Sequence, residues 1–221
     1  VLPCTACEVQ KAIGAEGAVC FDLQAACTGF IFAYNTAQAY IQSNMCRTVL
    51  LIGSERLSRL VDWTDRGTCI LFGDGAGAAV LKAAEGRAYL PVSHSDGKKG
   101  EALTCDRYIH MDGRAVFQFA VTRVPEVIRE VLTKNELLMD DIDYFVLHQA
   151  NRRIVEAVVK RLRQPIEKFP MNLQEYGNTS SASIPILLDE MNRSGKLKKG
   201  QKLVVAGFGA GLSWGASIVE W

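Results

Sequence analysis

Two stretches of this 221-residue chain read as copies of one pattern, and that pattern constrains the fold more than any other feature. Phe72-Gly73-Asp74-Gly75 followed by Gly77-Ala78-Ala79-Val80 resembles Phe208-Gly209-Ala210-Gly211 followed by Gly215-Ala216-Ser217-Ile218. Each copy follows an apolar run, Val49–Ile52 or Leu203–Ala206, and a segment of helical period precedes each run, over 28–43 and 179–194. A helix, a buried strand and a Gly-rich corner, used twice, predict two related α/β halves. On this register Cys27 and Asn178 hold equivalent helix-entry positions and could face one shared pocket. The alternative is a chance likeness between Gly-rich strands.

The remaining chain alternates in the same way. Helical spacing covers 3–13, stopped by Gly14, then 114–134, with Pro125 as a kink or restart, and 151–163. Strands are predicted at Val19–Gln24, Thr48–Ile52 (apolar enough to be buried on both faces), Ile70–Phe72, Ala76–Lys82, Tyr144–Leu147, Leu203–Ala206 and Ala216–Val219. The polar, Gly-rich stretch 93–113 reads as a loop or hairpin. The alternation predicts α/β layering around a largely parallel sheet.

Composition excludes some function classes. At 48% hydrophobic the chain can bury a substantial core, and 25 basic against 24 acidic residues give no footprint for nucleic acid. No apolar run reaches the roughly 18–20 residues of a membrane span. Seven cysteines, scattered through apolar segments, predict reduced thiols and a cytoplasmic protein. Cys4-Thr5-Ala6-Cys7 has CxxC spacing without a second pair, so it is read as structural rather than metal-binding. His94 and His110 lie among polar residues with no acidic ligand cluster at metal spacing, and no metal or cofactor is expected. Val1 reads as the interior of a longer chain rather than a natural start.

Four features could carry chemistry. Cys27 stands in Ala25-Ala26-Cys27-Thr28-Gly29-Phe30, where small residues give way to a helix, so the helix dipole should favour its thiolate. His148 ends the short strand before Gln149-Ala150-Asn151, either as a functional group or as a hydrogen-bonded strand-end histidine. Asn178 follows Gly177 and could be catalytic or simply a helix N-cap. The backbone of Phe208-Gly209-Ala210-Gly211 could form an oxyanion site or only a tight strand connection. Gly73-Asp74-Gly75-Ala76-Gly77 lacks the Gly-Lys-Ser/Thr ending of a phosphate loop and is followed by a strand pattern, which excludes nucleotide binding there.

Taken in order, Ala25–Phe30, Asp65-Arg66-Gly67-Thr68, Phe72–Ala78, His148-Gln149-Ala150-Asn151, Gly177-Asn178-Thr179-Ser180 and Phe208–Gly215 closely resemble the beta-ketoacyl-acyl carrier protein synthase III family of condensing enzymes. Each motif is weak alone; their order along essentially the whole chain is specific. The resemblance implies a thiolase-like fold, two related α/β halves in a five-layer α-β-α-β-α sandwich, working as a homodimer. It divides the chain into 1–90, carrying the nucleophile, and 91–221, carrying the His and Asn. It also implies a preceding segment of about a quarter of the family's length, so that the first half is incomplete here.

The resemblance further implies a Cys27, His148, Asn178 triad and a two-stage Claisen condensation. Cys27 would take an acyl group, typically acetyl, from acyl-CoA, and malonyl-acyl carrier protein would then lose carbon dioxide. His148 and Asn178 would hydrogen-bond the thioester oxygen as enolate charge develops, and the backbone N–H groups of Cys27 and Ala210 would hold the later oxyanion. It assigns Arg66 to the CoA adenine end, Asn151 to the pantetheine tunnel, Phe72 and Phe208 to the pocket lining, and Arg153 and Lys160 to the acidic carrier protein. Their other readings are plain core for the phenylalanines and solvated helix surface for the basic pair. Gln118 stands where a family lysine is common, and Leu2 where some members extend a Phe into the partner's acyl pocket. Two further readings are a related thiolase-fold acyltransferase of secondary metabolism and a non-catalytic fragment. A degradative thiolase fits less well, because no cysteine follows Cys105.

Overall fold

A computed structural model describes residues 2–221 of the chain. In chain order the elements are α1 (Thr5–Ile13), α2 (Gly29–Gln42), β1 (Thr48–Arg56), β2 (Asp74–Lys82), β3 (Val92–Ser95), β4 (Leu103–Cys105), β5 (Ile109–Met111) and α3 (Gly113–Lys134). These are followed by β6 (Tyr144–Leu147), α4 (Arg152–Leu162), α5 (Leu173–Tyr176), α6 (Ser183–Arg193), β7 (Lys202–Gly209) and β8 (Ser213–Glu220).

Local chemistry sets several of the ends. Gly14 closes α1 at φ 66°, where a side chain would be strained. The Asp112 carboxylate accepts the N–H groups of Arg114 and Ala115 at the start of α3. Asn151 does the same for α4 through Arg153 N–H, at 2.8 Å. Pro125 lies inside α3, which runs on through it without the restart that was one of its two expected effects. One missing backbone bond is offset there by a buried stripe running from Val116 to Leu132.

The described residues form four layers. β1 and β2 make an antiparallel ribbon. Beneath it lie α2 and α6, and beneath those a four-stranded sheet in the order β3-β8-β7-β6, with α3 and α4 on its far face. Phe30 and Ile31 of α2 with Ile184 and Leu187 of α6 pack between Leu51 of the ribbon and Val146, Leu203 and Val205 of the sheet. On the opposite face Phe145, Val204 and Ala206 meet α3 and α4. The period-two alternation of β7 thus buries both its faces, as its apolar run predicts.

Other strand expectations need correction. Among the described strands β6 and β7 alone pair in parallel; β1–β2, β3–β8, β4–β5 and β7–β8 are antiparallel, the last pair joined by the short corner 210–212. β1 has an apolar run like that of β7, but only its inner face is covered, and Leu50 and Ile52 are 45% and 39% exposed. Val19–Gln24 forms no strand, for no described segment pairs with it. Ile70–Phe72 is a turn joined to the rest by a single bridge between Phe72 and Asn178. The stretch 93–113 carries β3, a 3-10 helix and the β4–β5 hairpin.

Candidate active site

The two copies of the pattern enter their helices through matching turns. Ala26–Thr28 and Ser180–Ala182 are single 3-10 turns, each leading directly into a long helix, α2 or α6. Each turn opens on a non-glycine residue in the left-handed region, Ala26 at φ 45° and Ser180 at φ 49°. In both copies the same number of residues separates helix start from strand start, Gly29 to Thr48 and Ser183 to Lys202. The structural mate of Cys27 is therefore Ser181, and that of Asn178 is Gln24. The expected equivalence of Cys27 with Asn178 is corrected by three positions, because the left-handed residue rather than the apolar pattern marks the turn. The two turns also touch: a Cβ on Gly29 would lie 3.2 Å from the Ser181 Cβ.

Cys27 is buried beneath β7. A Cβ on Gly209 would come within 2.9 Å of the Cys27 Cβ and backbone N, so only glycine fits. In the other copy Glu55 occupies the position equivalent to Gly209, and there it accepts the Ser181 hydroxyl at 2.6 Å. Burial pushes the Cys27 thiol up to about 11; a hydrogen bond involving the Ser180 side chain opposes this, and the Glu55 carboxylate reinforces it. This direction is opposite to the depressed thiol expected from the helix position, and its leading cause is desolvation.

His148 leaves the end of β6 and packs edge-on against Phe208, ring centroids 5.7 Å apart. Burial drives it down to about 4, so it is neutral near pH 7. Its Nδ1 lies 2.7 Å from the Ser183 hydroxyl at the start of α6. The following Gln149 is fully buried, bonded to Leu147 carbonyl oxygen and Asn172 N–H, which fixes the chain around the histidine. A Cβ on Gly207 would meet both His148 Cβ, at 3.0 Å, and Cys27 carbonyl oxygen, at 4.0 Å, so the two residues flank one glycine.

Asn178 is held by its own backbone: its N–H donates to Leu71 and its carbonyl accepts Gly73 N–H. Its Oδ1 accepts the Ser180 N–H at 2.8 Å. It therefore begins an Asx turn before the 3-10 helix rather than capping α6. With the oxygen committed, the NH2 end is the part of the carboxamide left to bind something else. The turn 180–183 thus bonds two of the candidates, Asn178 through Ser180 N–H and His148 through the Ser183 hydroxyl, and packs against the turn that carries Cys27. In the sequence Ser180 and Gly209 stand only as members of the motifs around Asn178 and Ala210, whereas Glu55 carries no signal and Ser183 only that of the Ser-rich run after Asn178.

The other predicted positions scatter. Ala210 lines an open groove of about 500 Å³ with Gln24, Ala25, Phe32 and Asn35. Phe208 is buried beside His148, whereas Phe72 is half-buried on its bridge to Asn178. Arg66 stands exposed on a turn tied by Asp65, whose carboxylate accepts Gly67 N–H and the Thr68 hydroxyl. Asn151 is half-buried and serves as the cap of α4. Arg153 and Lys160, seven residues apart, share an exposed face of α4, and the Arg153 guanidinium lies 5.7 Å from the Phe117 ring centroid. Gln118 and Leu2 are exposed. His94 meets Glu130 at 2.8 Å and stacks on Trp214, and His110 meets Asp106 at 3.3 Å. Among the described residues no cluster of three or more His, Cys, Asp or Glu is arranged to hold a metal, and no helix is long and apolar enough to cross a membrane.

Comparison with known proteins gives the geometry a context. Residues 21–97 match the family described as 3-oxoacyl-[acyl-carrier-protein (ACP)] synthase III, and residues 132–221 match its C-terminal counterpart. A Clostridium novyi protein named beta-ketoacyl-[acyl-carrier-protein] synthase III is 47% identical over 100% of this chain and 73% of its own length. A protein of the same name from Acaryochloris marina is 49% identical over 98% of this chain and 71% of its length. The crystal structure of 3-oxoacyl-[acyl-carrier-protein] synthase III from Aquifex aeolicus superposes with a TM-score of 0.95 at 44% identity, covering 98% of this chain and 72% of that one.

Proposed function

This chain belongs to the beta-ketoacyl-[acyl-carrier-protein] synthase III family, and on that premise we propose that Cys27, His148 and Asn178 carry out its condensation. The observation supporting this most directly is the single turn 180–183, which bonds Asn178 and His148 and packs against the turn that carries Cys27. The protein is an acyltransferase of the thiolase-like fold that starts fatty-acid chains.

In the first stage the Cys27 sulfur attacks the thioester carbonyl of an acyl-CoA. The C–S bond to CoA breaks, and the Cys27 proton leaves with the CoA sulfur, giving free CoA thiol and acyl-Cys27. Burial holds the resting thiol protonated near pH 7, so its proton is given up within this stage. In the second stage malonyl-acyl carrier protein loses carbon dioxide, and the electron pair of the broken C–C bond becomes an enolate. His148 and Asn178 donate hydrogen bonds to its oxygen, fixed donors of a kind worth about 3 kcal/mol each. The enolate carbon attacks acyl-Cys27, the backbone N–H groups of Cys27 and Ala210 receive the oxyanion, and the C–S bond breaks. The Cys27 thiolate then takes up a proton, restoring the thiol. A neutral His148 suits the donor role, since no proton need leave it.

Around this centre Arg66 and Asn151 contact CoA, Phe72 and Phe208 line the pocket, and Arg153 with Lys160 receives the acidic carrier protein. Residues 1–90 and 91–221 form the two halves, and the enzyme acts as a cytoplasmic homodimer. Incubation with acetyl-CoA followed by mass spectrometry tests the central claim: an acetyl adduct on Cys27, absent in Cys27→Ala, is expected. An equal adduct in the variant, or none in either protein, overturns the assignment.

A further inference from the structure

Ser183 makes contacts that the reaction above does not use. Its hydroxyl lies 2.7 Å from His148 Nδ1 and receives the backbone N–H of Gln149 at 3.2 Å. Ser183 is 2% exposed and His148 3%, so neither group can exchange its partner for bulk water. Two arrangements of hydrogens are conceivable. If Nδ1 carried the imidazole proton, the Ser183 oxygen would accept from both Nδ1 and Gln149, and its own hydrogen would have no acceptor among its partners within the described residues. If the hydroxyl instead donates to Nδ1, both atoms of this contact are satisfied: Gln149 N–H donates to Ser183 Oγ, Ser183 O–H donates to an unprotonated Nδ1, and the ring proton sits on Nε2, which has no protein partner among the described residues and is not enclosed as a buried orphan. A buried hydroxyl hydrogen left without an acceptor is the costlier choice.

We propose that Ser183 is a positioning residue that locks His148 in the tautomer carrying its proton on Nε2. The lock makes the open ring nitrogen a hydrogen-bond donor and denies it the lone pair that a general base would need. Anchoring strengthens the constraint, because Ser183 is the first residue of α6 and Gln149 is pinned by Leu147 and Asn172. The functional consequence rests on the assignment of His148 as donor to the developing enolate. In that setting Ser183 governs the decarboxylative half of the reaction and leaves acyl transfer to Cys27 nearly untouched.

The test labels histidine with 15N and reads the His148 tautomer from two-bond proton–nitrogen correlations, with His148→Asn identifying the signal. The wild-type protein is expected to show an Nε2–H ring. Ser183→Ala should mix the tautomers and slow condensation about tenfold or more while the rate of Cys27 acylation changes less than about threefold. Ser183→Thr, which keeps the hydroxyl, should restore both. An Nδ1–H ring in the wild type, or an unchanged tautomer in Ser183→Ala, overturns the proposal. The wild-type spectrum needs no activity and no variant that folds. A protein with the Nε2–H ring that fails to condense substrates would therefore overturn the functional assignment and leave the tautomer lock standing.

Discussion

Gly209 of β7 lies against Cys27 with no room for a methyl group: a Cβ there would sit 2.9 Å from both the Cβ and the backbone N of the cysteine. The neighbour is backbone as well as side chain, so it cannot rotate away. Gly209→Ala should push the Cys27 turn out of place, costing about 1–3 kcal/mol of stability and slowing acyl-adduct formation at least tenfold. Urea midpoints and a timed mass-spectrometric assay check both. Wild-type adduct formation in this variant would mean the turn tolerates displacement.

The buried thiol sets a second expectation. With Cys27 held up to about 11, alkylation by iodoacetamide, followed on its own peptide, should be slow at pH 7 and accelerate through pH 9–11. Ser180→Ala removes a contact that lowers the thiol and should shift the profile upward. A profile levelling off near pH 7 would show that the helix end prevails over burial in solution.

His148 and Cys27 make stability depend on pH at both extremes. His148 titrates near 4 in the folded protein against an ordinary 6.5. Between those values the unfolded chain binds the extra proton, so stability falls as pH drops through that window, by on the order of 3 kcal/mol. Cys27 titrates near 11 against 9.0, so the unfolded chain loses its proton first and stability falls as pH rises from 9 to 11. Thermal melts across pH should show both slopes, and His148→Asn should flatten the acidic one.

On α4, Arg153 and Lys160 present their charges on one exposed face. Charge reversal to Glu at both should raise KM for malonyl-acyl carrier protein roughly tenfold, with a strong salt dependence in the wild type. Acyl transfer from acetyl-CoA should be unaffected. A matching fall in that step would assign the pair to structure instead.

Much of this was legible in the residues. Alternating periods placed the helices and most strands, and the order of short motifs carried the family and picked out Cys27, His148 and Asn178. The misreadings share one cause. Val49–Ile52 and Leu203–Ala206 look alike, yet Ile52 is 39% exposed and Ala206 is fully buried, because burial depends on which layers cover a strand. Likewise the place of Cys27 at a helix entry is a local feature, whereas its burial against Gly209 of β7 is set by packing.

Local periodicity and residue chemistry are enough to place the helices and most of the strands in order and to mark Cys27, His148 and Asn178 as candidates. Packing alone makes Cys27 the mate of Ser181, leaves room for nothing larger than glycine at Gly209, and sets Ser183 against the histidine. Those relations join residues 35 positions apart in the case of Ser183 and His148, and far more for Gly209 and Cys27. The close approach of chain segments so distant in sequence is settled by packing, which no local pattern records.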